Sequence, residues 1–230
     1  MTLTHDQIKA FVKEELEIFG GPLYMPESLQ ETEMEKTLVS PDVKTISEFN
    51  NAIKGCMNCP LGATRTNFVF GAGNPDADIM FVGEAPGEKE DMEGMPFVGR
   101  SGKLLTDILK AIDLTREDVY IANILKCRPP NNRDPNKAEI EECEPYLLKQ
   151  IEMIKPKLLV ALGRISATTL LRSKDSLTSM RGQVFDYHGT DMVVTYHPAA
   201  LLRNPNWKRP AWEDFKKIRE MYLEKKGAQE

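Results

Sequence analysis

The 230-residue chain is 41% hydrophobic and 28% charged, enough apolar material for a domain with a packed core, and its 15 glycines and 15 prolines exclude collagen-like and strongly disordered classes. Thirty lysines and arginines against 35 acids leave a net charge of −5. That total argues against a chain that coats nucleic acid or an anionic membrane without selectivity, though not against a locally basic groove.

The opening residues MTLTHDQIKAFVKEELEIFG lack the basic and apolar regions of a secretory signal. No apolar run approaches the roughly 20 residues of a membrane-spanning helix, so a soluble, cytoplasmic protein with no membrane partner is expected. Ile8, Phe11, Val12, Leu16, Ile18 and Phe19 fall at three-to-four spacing and predict an amphipathic helix over 5–19. Residues 20–43 carry Gly, Pro and Glu without periodicity and read as a linker or arm. Residues 1–43 are thus predicted to be an extension and 44–230 the working domain. Through Glu48 the chain holds ten acids against four bases, or −6, so the remainder carries +1.

A helix is predicted around 44–55. Beyond it, four short apolar runs stand out at Ile79–Gly83, Val119–Leu125, Leu158–Gly163 and Met192–Tyr196. Helical patterns separate them near 101–112, 137–154 and 164–172, and 211–225 reads as a closing helix. Such alternation predicts an α/β fold, a three-layer α/β/α sandwich around a short, mainly parallel four-stranded sheet. Ligands of such sheets bind at the carboxyl ends of the strands. The residues there read GEAPGEKED, NILKCRPPNNR, GRISA and YHPAALLRNP.

Cys56 and Cys59 form a CxxC pair, and Cys127 and Cys143 stand with 15 residues between them. Two thiolates from a tight turn and two from a distance can complete four-fold ligation of zinc or of an iron–sulfur cluster. Spacing leaves those two open, with buried free thiols as the plain alternative.

GEAPGEKED at 83–91, PFVGRSGKLL at 96–105, NILKCRPPNNRDP at 123–135 and HPAALLRNP at 197–205, with the order of the four cysteines, closely resemble the family-4 uracil-DNA glycosylases over roughly residues 45–225. The resemblance implies a [4Fe–4S] cluster on Cys56, Cys59, Cys127 and Cys143 with a structural and DNA-positioning role. It also implies monofunctional excision of uracil from DNA, leaving an abasic site, by a monomer.

That reaction breaks an N-glycosidic bond, so the protein must flip the nucleotide, grip the base edge, stabilise a uracil anion and place a water. By resemblance, His197 donates to uracil O2; a lone histidine at a strand end is otherwise a satisfied structural group. Glu84 would orient His197 or the water, and the Ala85 N–H would face O2; the plain reading of Glu84 is an exposed loop carboxylate. Glu90 would shape the pocket or order water, although EKEDMEG reads on composition as a solvated acidic turn. Phe97 would stack on the base, where most such residues are core. Asn123 can offer a donor and an acceptor to uracil O4 and N3–H, a pattern that cytosine reverses; its alternative is a strand-end cap. Asn132 would hold the water.

Leu201 is placed as a wedge for the gap left by the flipped base, or packs beneath its loop. Arg100, Ser101 and Lys103 open a helix whose N–H groups can hold a phosphate, and Lys126, Arg128, Arg133, Arg203, Lys208 and Arg209 are natural contacts to the DNA backbone. Two rivals are a covalent uracil binder, disfavoured because KCRPPNNRDP has neither insertion nor histidine, and a non-catalytic iron–sulfur module. The extension is a candidate arm for a replication or repair protein.

Overall fold

The computed structural model describes residues 43–227, so the predicted helix over 5–19 and nearly all of the 20–43 arm lie outside the described residues. In chain order come α1 (Ile46–Ile53), α2 (Leu61–Thr64), β1 (Ala72–Gly73), β2 (Ile79–Gly83), α3 (Glu88–Glu93), α4 (Arg100–Ala111), β3 (Tyr120–Asn123) and α5 (Lys137–Ile154). They continue with β4 (Leu158–Leu162), α6 (Arg164–Leu170), α7 (Leu177–Met180), β5 (Val184–Tyr187), β6 (Thr190–Thr195), α8 (Pro198–Arg203) and α9 (Lys208–Gly227). Short 3-10 turns stand at Pro130–Asn132 and Pro205–Trp207.

The sheet has six strands in the order β1-β3-β2-β4-β6-β5. Its central β3, β2, β4 and β6 are parallel and match the four predicted runs. The sequence-based count of four is corrected by two antiparallel edges, β1 on β3 and β5 on β6. Both edges lack the buried run that marks an inner strand. β1 is two residues long, and β5 alternates between exposed and partly or fully buried side chains. β5 and β6 form a hairpin whose two turn residues, His188 and Gly189, have φ of 50° and 83°; consecutive left-handed residues suit a tight hairpin turn, and glycine adopts them freely.

Alternate strand residues feed two cores. Met80, Val82, Ala122, Leu159, Ala161 and Val194 face one side, covered by Leu147 and Ile151 of α5 and by Ala167 and Leu170 of α6. Ile79, Phe81, Ile121, Val160, Leu162 and Val193 face the other, covered by Leu105 and Leu109 of α4 and by Phe215 and Ile218 of α9. Burial on both faces explains why the inner strands read as unbroken apolar runs. α1 starts with a reciprocal cap in which Thr45 Oγ1 accepts from the Glu48 N–H and the Glu48 carboxylate accepts from the Thr45 N–H. It seats Phe49 and Ile53 on Phe70. Among the described residues no helix is long and apolar enough to cross a membrane.

Candidate functional site

The four parallel strands all end on one edge. Gly83 pairs with Asn123 across β2 and β3, and Leu162 pairs with Thr195 across β4 and β6. Gly83 has no side chain, and the space a Cβ would take is claimed by Asn123 Oδ1 and by the Phe97 ring, whose Cζ would lie at 2.6 Å. Asn123 is only 2% exposed, and its Oδ1 is the one buried side-chain polar atom without a hydrogen-bond partner among the described residues. A buried acceptor left unpaired costs about 1–3 kcal/mol. It is an acceptor held ready for a donor that the protein does not supply.

Phe97 forms the wall of this slot with φ at 53°, a left-handed conformation that a bulky residue keeps only when its surroundings hold it there. The clamp is visible. Glu90 Oε1 accepts from the Val98 and Gly99 N–H groups at 2.9 and 2.8 Å. Arg116 donates to the Pro96 and Phe97 carbonyls at 2.7 and 3.0 Å. Gly102 of α4 lets the Phe97 carbonyl pass where any Cβ would collide. Glu90 therefore lies on α3, a helix where an acidic turn was expected, with its carboxylate committed to the Phe97 loop. The Asp91 carboxylate beside it accepts from the Thr66 and Asn67 N–H groups.

The Phe97 ring lies 5.4 Å from that of His197, at an interplanar angle of 34°. His197 caps α8, its Nδ1 accepting from the Ala199 N–H at 3.1 Å. That bond assigns the ring proton to Nε2 in the neutral form. Burial, reinforced by the Arg203 charge, pulls the pKa from its ordinary 6.5 to about 4, so the ring is neutral at neutral pH. Gly163, at φ 93°, leaves room for the His197 Cβ, which an added methyl would meet at 2.8 Å. The strand end leading to His197 is anchored by Thr195 Oγ1, which donates to Asp214 at 2.7 Å, and by Arg181, paired to the same carboxylate and lying over the Tyr196 ring.

Glu84 follows β2 at the same edge. Burial first, then the Asp134 charge, pushes its carboxyl from 4.5 up to about 7, while Arg164 and Arg203 pull the other way. Asp134 and Arg164, paired at 3.4 Å, were not singled out from the sequence, since only the fold brings them to Glu84. Ala85 is half-buried against the first core. Asn132 stands exposed, with φ at 52° and its Oδ1 accepting from Arg128 Nε at 2.8 Å.

Two sequence expectations are corrected here. Leu201 is 2% exposed and packs with Tyr196, Ala211 and Leu104 on the inward face of α8. The leucine that α8 presents is its neighbour Leu202, 37% exposed. Lys126 is 0% exposed, so it is no contact for DNA. Arg100 and Lys103 at the start of α4 and Arg203 at the end of α8 are exposed, and Ser101 is partly so. Arg133 is engaged by Glu139 at 2.6 Å.

Behind the edge, Cys56, Cys59, Cys127 and Cys143 line one small cleft with Asn58, Gly62, Arg65 and Phe68. Polar hydrogens point at their sulfurs. Tyr146 O–H and Arg65 donate to Cys56 and Cys127 at 3.2 Å each, and the Lys126 N–H donates to Cys143 at 3.2 Å. Burial pushes the Cys143 thiol up to about 12, so a thiolate there calls for a cationic partner. Among the described residues no three ligand side chains converge on a point where one ion would sit. Four sulfurs around a shared cleft with N–H and O–H donors suit a group held by thiolates, and four cysteines serve an iron–sulfur cluster as they serve zinc. Arg65 and Tyr146 carried no sequence signal for this role.

The family model described as the Uracil DNA glycosylase superfamily matches residues 70–216. Among curated proteins, the type-4 uracil-DNA glycosylase of Sulfurisphaera tokodaii is 50% identical over 189 residues, covering 78% of this chain and 86% of that protein. The type-4 enzyme of Archaeoglobus fulgidus is 44% identical over 187 residues, covering 78% and 94%. That of Thermotoga maritima is 47% identical over 179 residues, covering 76% and 93%.

Proposed function

The chain belongs to the uracil DNA glycosylase superfamily, and from that premise and the geometry of the strand edge we propose that it excises uracil from DNA by hydrolysing the N-glycosidic bond, leaving an abasic site. The observation that carries the reading is the unpaired Asn123 Oδ1 facing the Phe97 ring above a bare Gly83. A flat base seated against Phe97 would give its N3–H to that oxygen, and the amide N–H₂ would serve O4. Cytosine carries no N3–H and bears a donor where uracil has O4, so it would leave both ends unmatched.

As the bond to C1′ breaks, its electron pair passes to the base, and negative charge grows on O2. Neutral His197 is suited to meet it, since Nδ1 is occupied and the proton sits on Nε2. The Ala85 N–H would assist at the same oxygen. Glu84, with a pKa near 7, can orient the attacking water or favour the developing positive sugar. Glu90 acts as a positioning residue through the Phe97 loop, and Asn132 with Arg128 would hold water or phosphate at the rim. Arg100, Ser101, Lys103 and Arg203 would take the DNA backbone, and the exposed Leu202 is the better wedge than Leu201.

Cys56, Cys59, Cys127 and Cys143 would hold a [4Fe–4S] cluster. When bound, such a cluster supplies cross-linking of the CxxC turn, the loop after β3 and α5, and takes no part in bond breaking. On this reading residues 44–230 form the glycosylase domain in a three-layer α/β/α arrangement, the protein works as a cytoplasmic monomer, and acidic residues 1–43 serve a replication or repair partner.

The test is a uracil-containing oligonucleotide followed on a denaturing gel. A heat-labile abasic site is expected from the wild type, with His197→Ala and Asn123→Ala slower by orders of magnitude at unchanged circular dichroism. Near-normal excision in both variants would overturn the assignment of the slot, and a shifted band without an abasic site would mean a binder.

A further inference from the structure

Lys126 sits between the cysteine cleft and the base slot, and it is fully buried. Its Nζ donates to the Asn123 main-chain carbonyl at 2.8 Å and to Gln150 Oε1 at 2.6 Å. Gln150 in turn donates to the Phe70 carbonyl at 2.9 Å. The main-chain N–H of Lys126 donates to Cys143 Sγ at 3.2 Å, and Cys127 follows it in the chain. No carboxylate pairs with it among the described residues. Its side chain would be far easier to bury as a leucine or methionine, since taking an amine out of water is costly unless its hydrogens are well spent.

The two α5 partners make the arrangement more than a local staple. Cys143 and Gln150 are seven residues apart on α5, two helical turns, so they share one face of the helix. Lys126 meets both of them, one through its main chain and one through its side chain. A shift of α5 therefore moves the sulfur and the amide oxygen together, and both movements arrive at Lys126.

We propose that Lys126 is a positioning residue that links the cysteine centre to the Asn123 amide, so that the seating of α5 against that centre sets how firmly uracil is gripped. This rests on reading Asn123 as the base-reading amide. The side chain of Asn123 is left without an internal partner, so its aim depends on how its backbone is held. The Lys126 ammonium is the group that holds the carbonyl of that residue.

The experiment uses the cluster-loaded full chain and measures binding of free uracil by calorimetry, with melting temperature and visible absorption as controls. Lys126→Met keeps the length and removes the donor. It should retain the absorption and weaken uracil binding about tenfold, the loss expected for one buried hydrogen bond. Gln150→Met removes the acceptor for Lys126 together with the donor to the Phe70 carbonyl, leaves the Lys126–Asn123 bond in place, and should weaken binding about threefold by the same reasoning. Lowered melting with native uracil affinity in Lys126→Met would make the lysine purely structural and overturn the proposal. Should Lys126→Met fail to fold, Gln150→Met decides, and native uracil affinity there overturns it. Asn123→Ala separates the two readings: if it binds uracil like the wild type, the slot itself is wrong; if it alone loses affinity, only the link through Lys126 fails.

Discussion

A single methyl group at Gly83 should block the reaction without removing any polar group. In Gly83→Ala the new Cβ would stand 2.6 Å and 2.8 Å from Cζ and Cε2 of Phe97, and closer still to Asn123 Oδ1. Neither neighbour can easily retreat. Asn123 is buried, and Phe97 is held in its left-handed backbone by Glu90 and Arg116. Opening the ring contact to an ordinary van der Waals distance moves ring or strand by about 0.8 Å, an overpacking cost of about 1–3 kcal/mol in stability. Misplacement of reacting groups by about 1 Å costs on the order of a hundredfold in rate. Single-turnover excision from a uracil oligonucleotide should therefore fall about a hundredfold in Gly83→Ala. Thermal unfolding should fall by about 2–12 °C, at about 2–4 °C per kcal/mol for a domain of this size. Excision within threefold of the wild type would refute the placement of the base between Asn123 and Phe97.

Glu84 and His197 make opposite pH predictions. If Glu84 works as a carboxylate, excision should rise as pH passes about 7, and Glu84→Gln should flatten that limb of the profile. Stability runs the other way: the folded chain holds a proton that the unfolded chain releases between 4.5 and about 7, so this group makes stability fall with rising pH across that window. His197 is depressed from 6.5 to about 4, so the unfolded chain binds the extra proton and stability rises with pH between those values; denaturant titrations of Glu84→Gln and His197→Gln should each remove their own slope. Glu90→Gln turns two charge-assisted hydrogen bonds into neutral ones, a loss of about 2 kcal/mol in melting experiments, with slower excision as the Phe97 loop loosens. Cys143→Ala should lose visible absorption and melt lower, and an unchanged spectrum would remove that cysteine from the ligand set.

The inner sheet was legible because its strands are buried on both faces and leave apolar runs, whereas β1 and β5 carry no such mark. The candidate site residues stand in motifs that the sequence displays, but their states were not legible there. Glu90 looked like part of an acidic turn, and only the loop folding back reveals its two N–H partners. Lys126 resembled any other base in KCRPP, since nothing local distinguishes a lysine bound for solvent from one turned beneath a helix. Leu201 and Leu202 differ by one step of α8, about 100° of rotation, and only the packing against Tyr196 and Ala211 shows which one faces in. Asp134 and Arg164 act on Glu84 from separate loops, a relation that no spacing encodes. The net charge of −5 was also an average: the body is near neutral, with exposed Arg100, Lys103 and Arg203 at or near the ends of α4 and α8.

The cap formed by His197 has a bearing on how this protein can fail. Starting α8 requires only a short acceptor that can reach the Ala199 N–H, and asparagine, aspartate or serine would start it as well or better. None of them would present an Nε2–H to the base. On the proposed role of His197, the start of α8 gives that residue little protection, since an asparagine, aspartate or serine there would keep the cap.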